Sequence, residues 1–257
     1  VEHVADDEKL LETAMALCSD ASLSPDSGEA VGEPTECALV NDAAKNGLPK
    51  DQLEKEYVRV AEAPFDSMRK MMTTIHQTAD GRFIQFTKGA PDEVLKRCTK
   101  AYVGGQIVEM TDEIRSSILK NNKSMADKAL RVLCGSMREW KALPENTDTS
   151  NLEQDLVYVG LSGMIDPVRP EVKAAIVECR EAGIRPIMIT GDHKDTAVAI
   201  AKELGIIEDA SQAITGAQLN EISDEQFKTD IEKYSVYARV QPEHKVRIVN
   251  AWKAKGR

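Results

Sequence analysis

A threonine, a glycine and an aspartate follow a short apolar run in the second half of the chain and could bind an anion. The run, residues 187–189, is too short for a buried helix and is typical of an inner strand of a parallel sheet. Thr190, Gly191 and Asp192 come directly after it, and residues 197–204 then show helical spacing. A strand that enters a helix through such a turn aims backbone amides at a bound anion. Asp192 could equally cap the helix, so these residues alone leave a phosphate site and a helix cap as alternatives.

A second group of residues in the first half could bind a base and its phosphates. Phe65 follows a predicted strand, with the basic residues Arg69 and Lys70 close behind it. An aromatic ring beside cations suits such a ligand, although a core aromatic is the structural alternative. Lys88 ends another predicted strand, and the following Gly89 would let backbone approach a ligand. A solvated lysine is the alternative for Lys88.

Further charged residues have a structural and a functional interpretation. Glu36 lies in the first turn of a predicted helix, where the helix dipole favours a carboxylate. Arg131 begins a predicted strand and is either a surface arginine or one whose guanidinium group binds an anionic ligand. Lys245 stands in a basic helical stretch, where an ordinary surface lysine is the alternative.

Composition excludes several classes of function. The 257 residues carry a formal net charge of −10, which argues against a nucleic-acid partner. Neither a membrane-spanning apolar run nor a signal peptide is predicted. The five cysteines are far apart and are predicted to be buried thiols in a reducing compartment. The four histidines are equally scattered, so no metal site is predicted.

The elements that must position these residues change in type along the chain. The first part is predicted to hold two helices, at 8–18 and from Glu33 to Gly47, joined by a loop, and then strands from Tyr57 onward. Helices from Pro91 and over 112–128 interrupt these strands, which indicates an antiparallel sheet with helices, an α+β domain. After Pro167, helices and short strands alternate, which indicates a parallel α/β domain. We place the boundary at Asp166, giving domains 1–166 and 167–257.

Six short motifs occur along the chain, and their order and spacing carry more information than any one of them alone. They are Glu33-Pro34-Thr35-Glu36, Pro64-Phe65-Asp66-Ser67-Met68-Arg69-Lys70, Lys88-Gly89-Ala90-Pro91-Asp92, Asp166-Pro167-Val168-Arg169, Thr190-Gly191-Asp192 and Ala238-Arg239-Val240-Gln241-Pro242-Glu243-His244-Lys245. Together they resemble a P-type cation-transporting ATPase of the calcium-pump type, over essentially the whole chain. The resemblance implies a nucleotide-binding domain followed by part of a haloacid-dehalogenase-like, Rossmann-like phosphorylation domain.

The resemblance also implies residue roles in the first domain. Phe65 would stack on adenine, Glu36 would accept from the adenine amino group, and Lys88 with Gly89 would line the pocket. Lys70 would lie near the phosphates, and Arg131 would bridge ribose and phosphate.

In the second domain, Thr190 and Gly191 would contact the transferred phosphoryl group and Asp192 would close the site around ribose or Mg²⁺-ATP. Lys245 would stabilise the phosphoryl transition state. Arg239 would bond across the cleft on closure, and Asp166 and Arg169 would lie at the hinge.

Some family features have no counterpart in this chain. The Asp-Lys-Thr-Gly-Thr segment, whose Asp is phosphorylated, and the later Gly-Asp-Gly-Val-Asn-Asp segment, which helps to hold Mg²⁺, are both missing. Val168 replaces a usual proline, and Ser67 stands where some calcium pumps carry an arginine. The chain thus resembles an excised piece that binds ATP without turning it over.

The parent protein implied by the resemblance is an ATP-driven cation pump, with actuator and transmembrane domains as partners, at the cytoplasmic face of a membrane. The same resemblance favours calcium as the transported ion. A haloacid-dehalogenase-like phosphatase with a cap domain is an alternative, and a nucleotide-sensing module is another.

Overall fold

The computed structural model of the chain describes residues 1–165 and 170–256, which divide into two compact units. Unit 1 comprises Val1–Asn122 and Val132–Met164, and unit 2 comprises Lys123–Arg131 and Ile165–Arg257. The predicted boundary at Asp166 and the hinge role expected of Asp166 and Arg169 lie outside the described residues.

Helices and strands are interspersed along residues 1–165. In order they are β1 (Glu2–Ala5), α1 (Glu8–Leu17), β2 (Ser22–Leu23), β3 (Ala30–Val31), α2 (Pro34–Lys45), α3 (Lys50–Glu56), β4 (Tyr57–Asp66), β5 (Met71–Thr78), β6 (Phe83–Gly89), α4 (Pro91–Val94), β7 (Cys98–Val103), β8 (Gln106–Glu109), α5 (Asp112–Asp127), β9 (Leu130–Trp140), α6 (Thr149–Leu152) and β10 (Leu156–Ile165), with a 3-10 turn at Leu95–Arg97.

Eight of these strands form one sheet in the order β4-β5-β6-β9-β10-β7-β8, with β1 paired to β10. The pairs β4–β5, β5–β6, β6–β9, β7–β8 and β1–β10 are antiparallel, and β10–β7 is parallel. The prediction of an α+β domain with a mostly antiparallel sheet is confirmed.

The core of unit 1 lies between this sheet and the helices α1, α2 and α3. Asp7 caps α1 by accepting from the Leu10 amide at 3.0 Å, and the predicted apolar face then buries Leu11, Ala14 and Met15. These side chains pack against Met72 of β5 and Phe86 of β6, among others. The helices therefore cover one face of the sheet near the ends of β5 and β6.

The elements of residues 170–256 alternate as predicted. They are α7 (Pro170–Glu181), β11 (Met188–Ile189), α8 (Lys194–Glu203), β12 (Ala213–Thr215), α9 (Gly216–Asn220), α10 (Asp224–Asp230), β13 (Val236–Ala238) and α11 (Pro242–Ala254), with 3-10 turns at Ala210–Gln212 and Ile231–Lys233. Within the described part of the chain, no helix combines the length and the apolar character that a membrane crossing requires.

A three-stranded sheet in the order β11-β13-β12 organises unit 2, and both of its strand pairs are parallel. Alternate residues of β13 enter different cores, because successive side chains point to opposite faces of a strand. Val236 and Ala238 pack with Ala197 and Ala201 of α8, whereas Tyr237 packs with Phe227 of α10. The sheet is thus covered by helices on both faces, and its assignment to a haloacid-dehalogenase-like domain remains a prediction.

Candidate functional site

A largely buried ion pair between Lys88 and Glu36 lies at the end of β6. Lys88 pairs in register with Met72 of β5 and Gly135 of β9. Since an added Cβ on Gly135 would lie 2.7 Å from Leu11, this face of the sheet is the one that α1 covers. Lys88 Nζ donates to Glu36 Oε1 at 2.8 Å and to Ser19 Oγ at 2.9 Å. Lys88 is 7% exposed, so the alternative of a solvated lysine is wrong.

The Glu36 carboxylate links the start of α2 to the segment that follows α1. Its Oε2 accepts from the amides of Asp20 at 2.7 Å and Ala21 at 3.0 Å. Burial alone would raise the pKa of Glu36, but the charge of Lys88 and these hydrogen bonds outweigh burial, so the pKa is lowered. A carboxylate has about four acceptor directions, and three are used here, which leaves one on Oε1 for a ligand donor.

Two further basic residues hold the same segment, and neither belongs to a motif that sequence analysis identifies. Lys50 Nζ donates to the carbonyls of Ser19 and Ala21, both at 2.6 Å. Arg59 Nη2 donates to the carbonyls of Ser19 at 2.5 Å and Leu17 at 3.0 Å. Burial lowers the pKa of Lys50. The segment is therefore fixed by side chains that come from α2, α3, β4 and β6.

Backbone contacts bring the residues Lys70 and Gly89 close together. Lys70 has φ = 56°, in the left-handed region, and its carbonyl accepts from the Ala90 amide at 2.9 Å. A Cβ on Gly89 would lie 2.5 Å from the Lys70 carbonyl oxygen, so only glycine permits this approach. Asp66 stabilises the turn, since its Oδ1 accepts from the amides of Met68 and Arg69, both at 2.9 Å.

Phe65 is the second-last residue of β4, directly before this loop, and its side chain is exposed. It is 63% exposed, so the alternative of a core aromatic is wrong. Arg69 Nη2 donates to the Pro64 carbonyl at 2.9 Å, which fixes the backbone beside the ring. Because β4 ends at Asp66, β5 begins at Met71 and β6 ends at Gly89, the loop and Lys88 belong to the same end of the sheet.

In unit 2 the structure brings Thr190, Gly191 and Asp192 together with Arg239. Thr190 Oγ1 donates to Asp192 Oδ2 at 2.8 Å, and the Asp192 amide donates to Thr190 Oγ1 at 3.1 Å. The Arg239 amide donates to the Asp192 carbonyl at 3.1 Å, and Arg239 Nη1 lies 3.4 Å from the Gly191 carbonyl oxygen. The alternative in which Asp192 caps α8 is wrong, because His193 occupies the cap position and accepts from the Asp195 amide.

The remaining predicted residues of unit 2 differ in their surroundings. Arg131 Nη2 lies 3.1 Å from Asp192 Oδ1, which joins two residues that the sequence placed in separate domains. Lys245 is exposed in the first turns of α11. The functional roles of these residues remain predictions.

Comparisons with known proteins cover nearly the whole chain. Residues 8–171 match the family model described as P-type ATPase, cytoplasmic domain N. The chain is 47% identical over 251 residues to calcium-transporting ATPase 1 of Bacillus cereus, which covers 98% of the chain and 28% of that protein. It is 44% identical to calcium-transporting ATPase 1 of Lactococcus lactis, over 96% of the chain and 28% of that protein. For the calcium-transporting ATPase of Bacillus subtilis the identity is 42%, over 94% of the chain and 27% of that protein. The chain thus spans just over a quarter of the length of these curated relatives.

Proposed function

Because the chain belongs to the P-type ATPase family through its cytoplasmic domain N, we propose that unit 1 binds the adenine nucleotide of ATP. Adenine stacks on Phe65, and its amino group donates to the acceptor direction that remains on Glu36 Oε1. Lys70, Lys88 and Gly89 lie on the neighbouring strand ends, where positive charge and close backbone suit the phosphates and ribose.

The exposed ring of Phe65 is the observation that carries this proposal. The Phe65 side chain is 63% exposed, so its ring is accessible to a planar ligand at the end of the sheet that also carries Lys88. Base stacking on an aromatic ring contributes about 1–3 kcal/mol, and it uses the flat face that Phe65 offers. The buried pair of Lys88 and Glu36 supplies polar groups next to the same sheet end.

For the parent protein we propose ATP-driven cation transport, with calcium favoured by the names of the relatives. ATP and Mg²⁺ are its cofactors, and an aspartate outside this chain takes the phosphoryl group. Thr190, Gly191, Asp192 and Lys245 contact that group, Arg131 bridges ribose and phosphate, and Arg239 also binds the nucleotide. The actuator and transmembrane domains are partners, and the chain lies at the cytoplasmic face of a membrane.

The proposal is tested by calorimetric titration of the chain with Mg²⁺-ATP. Phe65→Ala should weaken binding about tenfold or more, because the stacking partner is lost. Met68→Ala is the matched control: Met68 is 68% exposed in the adjoining turn, so it should bind as the unchanged chain does. Equal affinity in the chain and in Phe65→Ala would refute the pocket.

Lys88→Ala should also abolish binding, but it leaves Glu36 without its ion-pair partner, so circular dichroism must first show that the variant is folded. The chain should release no phosphate from ATP or from a simple phosphate ester. Release would favour the alternative of a haloacid-dehalogenase-like phosphatase.

A further inference from the structure

Three potential metal ligands from separate elements meet at one place in unit 1, away from Phe65 and Lys88. They are His3 on β1, Glu12 on α1 and Asp42 on α2, and their ligand atoms lie within 4.8 Å of one another. His3 Nε2 lies 2.7 Å from Asp42 Oδ2 and 3.6 Å from Glu12 Oε1. The three residues are far apart in the sequence and show no metal-binding spacing, because only the packing of β1, α1 and α2 brings them together.

The imidazole of His3 is held in the orientation of a metal ligand. β1 pairs with β10 so that His3 stands opposite Ser162, and His3 Nδ1 lies 2.9 Å from Ser162 Oγ. This contact fixes the ring and directs Nε2 at the two carboxylates. Metal-binding histidines characteristically use their second ring nitrogen in such a hydrogen bond, which sets the tautomer.

The charges of the cluster favour a divalent cation. Glu12 is 5% exposed and the Asp42 side chain 20%, so both carboxylates are largely removed from water. The Asn46 amide donates to Glu12 Oε1 at 2.7 Å but carries no charge. A neutral imidazole can donate through Nε2 to only one carboxylate, and an imidazolium supplies one positive charge for two negative ones. A divalent ion balances both.

We propose that His3 Nε2, Glu12 and Asp42 bind a divalent first-row transition ion, such as Zn²⁺, that ties β1 to α1 and α2. With metal–ligand bonds of about 2.1 Å in a tetrahedral site, donor atoms stand roughly 3.4 Å apart. The distance from His3 to Glu12 already matches, and Asp42 needs to withdraw by roughly 0.7 Å, with water as the fourth ligand. The imidazole nitrogen distinguishes this site from one for Mg²⁺, which prefers an octahedron of oxygens.

Binding requires the proton of His3 to change its position. The short contact between His3 Nε2 and Asp42 contains one proton, which must leave Nε2 before it can donate its electron pair to the metal; in a neutral imidazole this proton moves to Nδ1, which then donates to Ser162 Oγ. Titration of the metal-free chain with ZnCl₂ should show one bound ion per chain. The melting temperature should rise, since the ion binds the folded chain in preference to the unfolded one.

Variants separate this site from adventitious binding. His3→Gln and Asp42→Asn should each weaken Zn²⁺ binding by at least about a hundredfold, and Ser162→Ala, which removes only the orienting hydroxyl, by about tenfold. His193→Asn is the matched control, because His193 lies in unit 2 and asparagine can also cap α8; it should retain full affinity.

Co²⁺ gives a readout that does not depend on stability. Visible absorption typical of a low-symmetry nitrogen and oxygen site should appear with one equivalent and should be absent in His3→Gln. Zn²⁺ affinity that is unchanged in both His3→Gln and Asp42→Asn, or lost in His193→Asn, would overturn the proposal. Failure of the chain to bind either ion at micromolar concentration would overturn it as well.

Discussion

Buried carboxylates in unit 1 are held by cations that come from distant parts of the chain. The Glu153 side chain is fully buried, and its Oε2 accepts from Arg69 Nε at 2.9 Å. Its Oε1 lies 3.4 Å from the Thr73 hydroxyl. Arg69 therefore connects the loop that carries Phe65 to the interior, which makes it a structural residue rather than a phosphate ligand.

We predict that Arg69→Ala lowers the free energy of unfolding by about 3 kcal/mol, because it leaves the Glu153 carboxylate buried without its cation. Urea unfolding would measure the loss. Arg82→Ala is the control, since the ion pair of Arg82 with Asp80 is more than half exposed on both sides and should contribute nothing measurable. Equal losses of unfolding free energy in the two variants would show that the Arg69–Glu153 pair stabilises the fold no more than the exposed Arg82–Asp80 pair does.

The types of the site residues could be predicted from the sequence, but their partners could not. Phe65, Lys88 and Glu36 were identified through motifs, whereas the contacts of Lys50 and Arg59 with Ser19 depend on how α3 and β4 pack against the end of α1. Asp192 is a second example: its sequence position suits a helix cap, but in the structure its carboxylate accepts a hydrogen bond from Thr190. Side-chain pairing over such separations follows from tertiary packing rather than from local pattern.

Most helices and strands were predictable, because the spacing of the hydrophobic residues indicates the type of each element and Pro and Gly indicate its ends. The apolar runs at 156–165 and near 213–215 predict strands, and the structure has β10 (Leu156–Ile165) and β12 (Ala213–Thr215) there. β1, α3 and the small β2–β3 hairpin were not predicted, since each is short or largely polar. The sequence pattern predicts a strand over 57–60, but β4 extends to Asp66 because pairing with β5 supports it. The order of the sheet could not be read from periodicity, which says nothing of pairing.

A histidine in β5 should make the stability of unit 1 depend on pH. His76 is 1% exposed, and burial lowers its pKa from 6.5 to about 4. Its Nε2 lies 2.8 Å from the Thr74 hydroxyl and its Nδ1 3.3 Å from the Tyr57 carbonyl, which suits a neutral ring. Between these two pKa values the unfolded chain binds a proton that the folded chain does not, so stability falls as the pH falls from 6.5 towards 4.

We predict that this histidine accounts for about 3 kcal/mol of the loss over that range. His76→Gln keeps hydrogen-bonding groups at the position but cannot titrate there. The free energy of unfolding of the variant should therefore decline less between pH 6.5 and 4 than that of the unchanged chain, as measured by urea unfolding at each pH. Parallel curves for the two proteins would contradict the assignment.

At the scale of the whole molecule, two compact units divide the predicted roles. Unit 1 carries Phe65, Glu36, Lys70, Lys88 and Gly89, and unit 2 carries Thr190, Gly191, Asp192, Arg239 and Lys245. The chain spans just over a quarter of the length of its curated relatives. The proposed cation transport therefore calls for experiments on a longer protein, whereas the proposed nucleotide binding can be tested with this chain.

The most direct test is an NMR titration of the isotopically labelled chain with ATP, in which backbone amide signals report the location of the ligand. The account predicts that the largest shifts fall at residues 64–70, at Lys88–Gly89 and at Ser19–Ala21, and that they disappear in Phe65→Ala. Shifts that lie elsewhere, or that persist unchanged in Phe65→Ala, would contradict a nucleotide pocket at this end of the sheet.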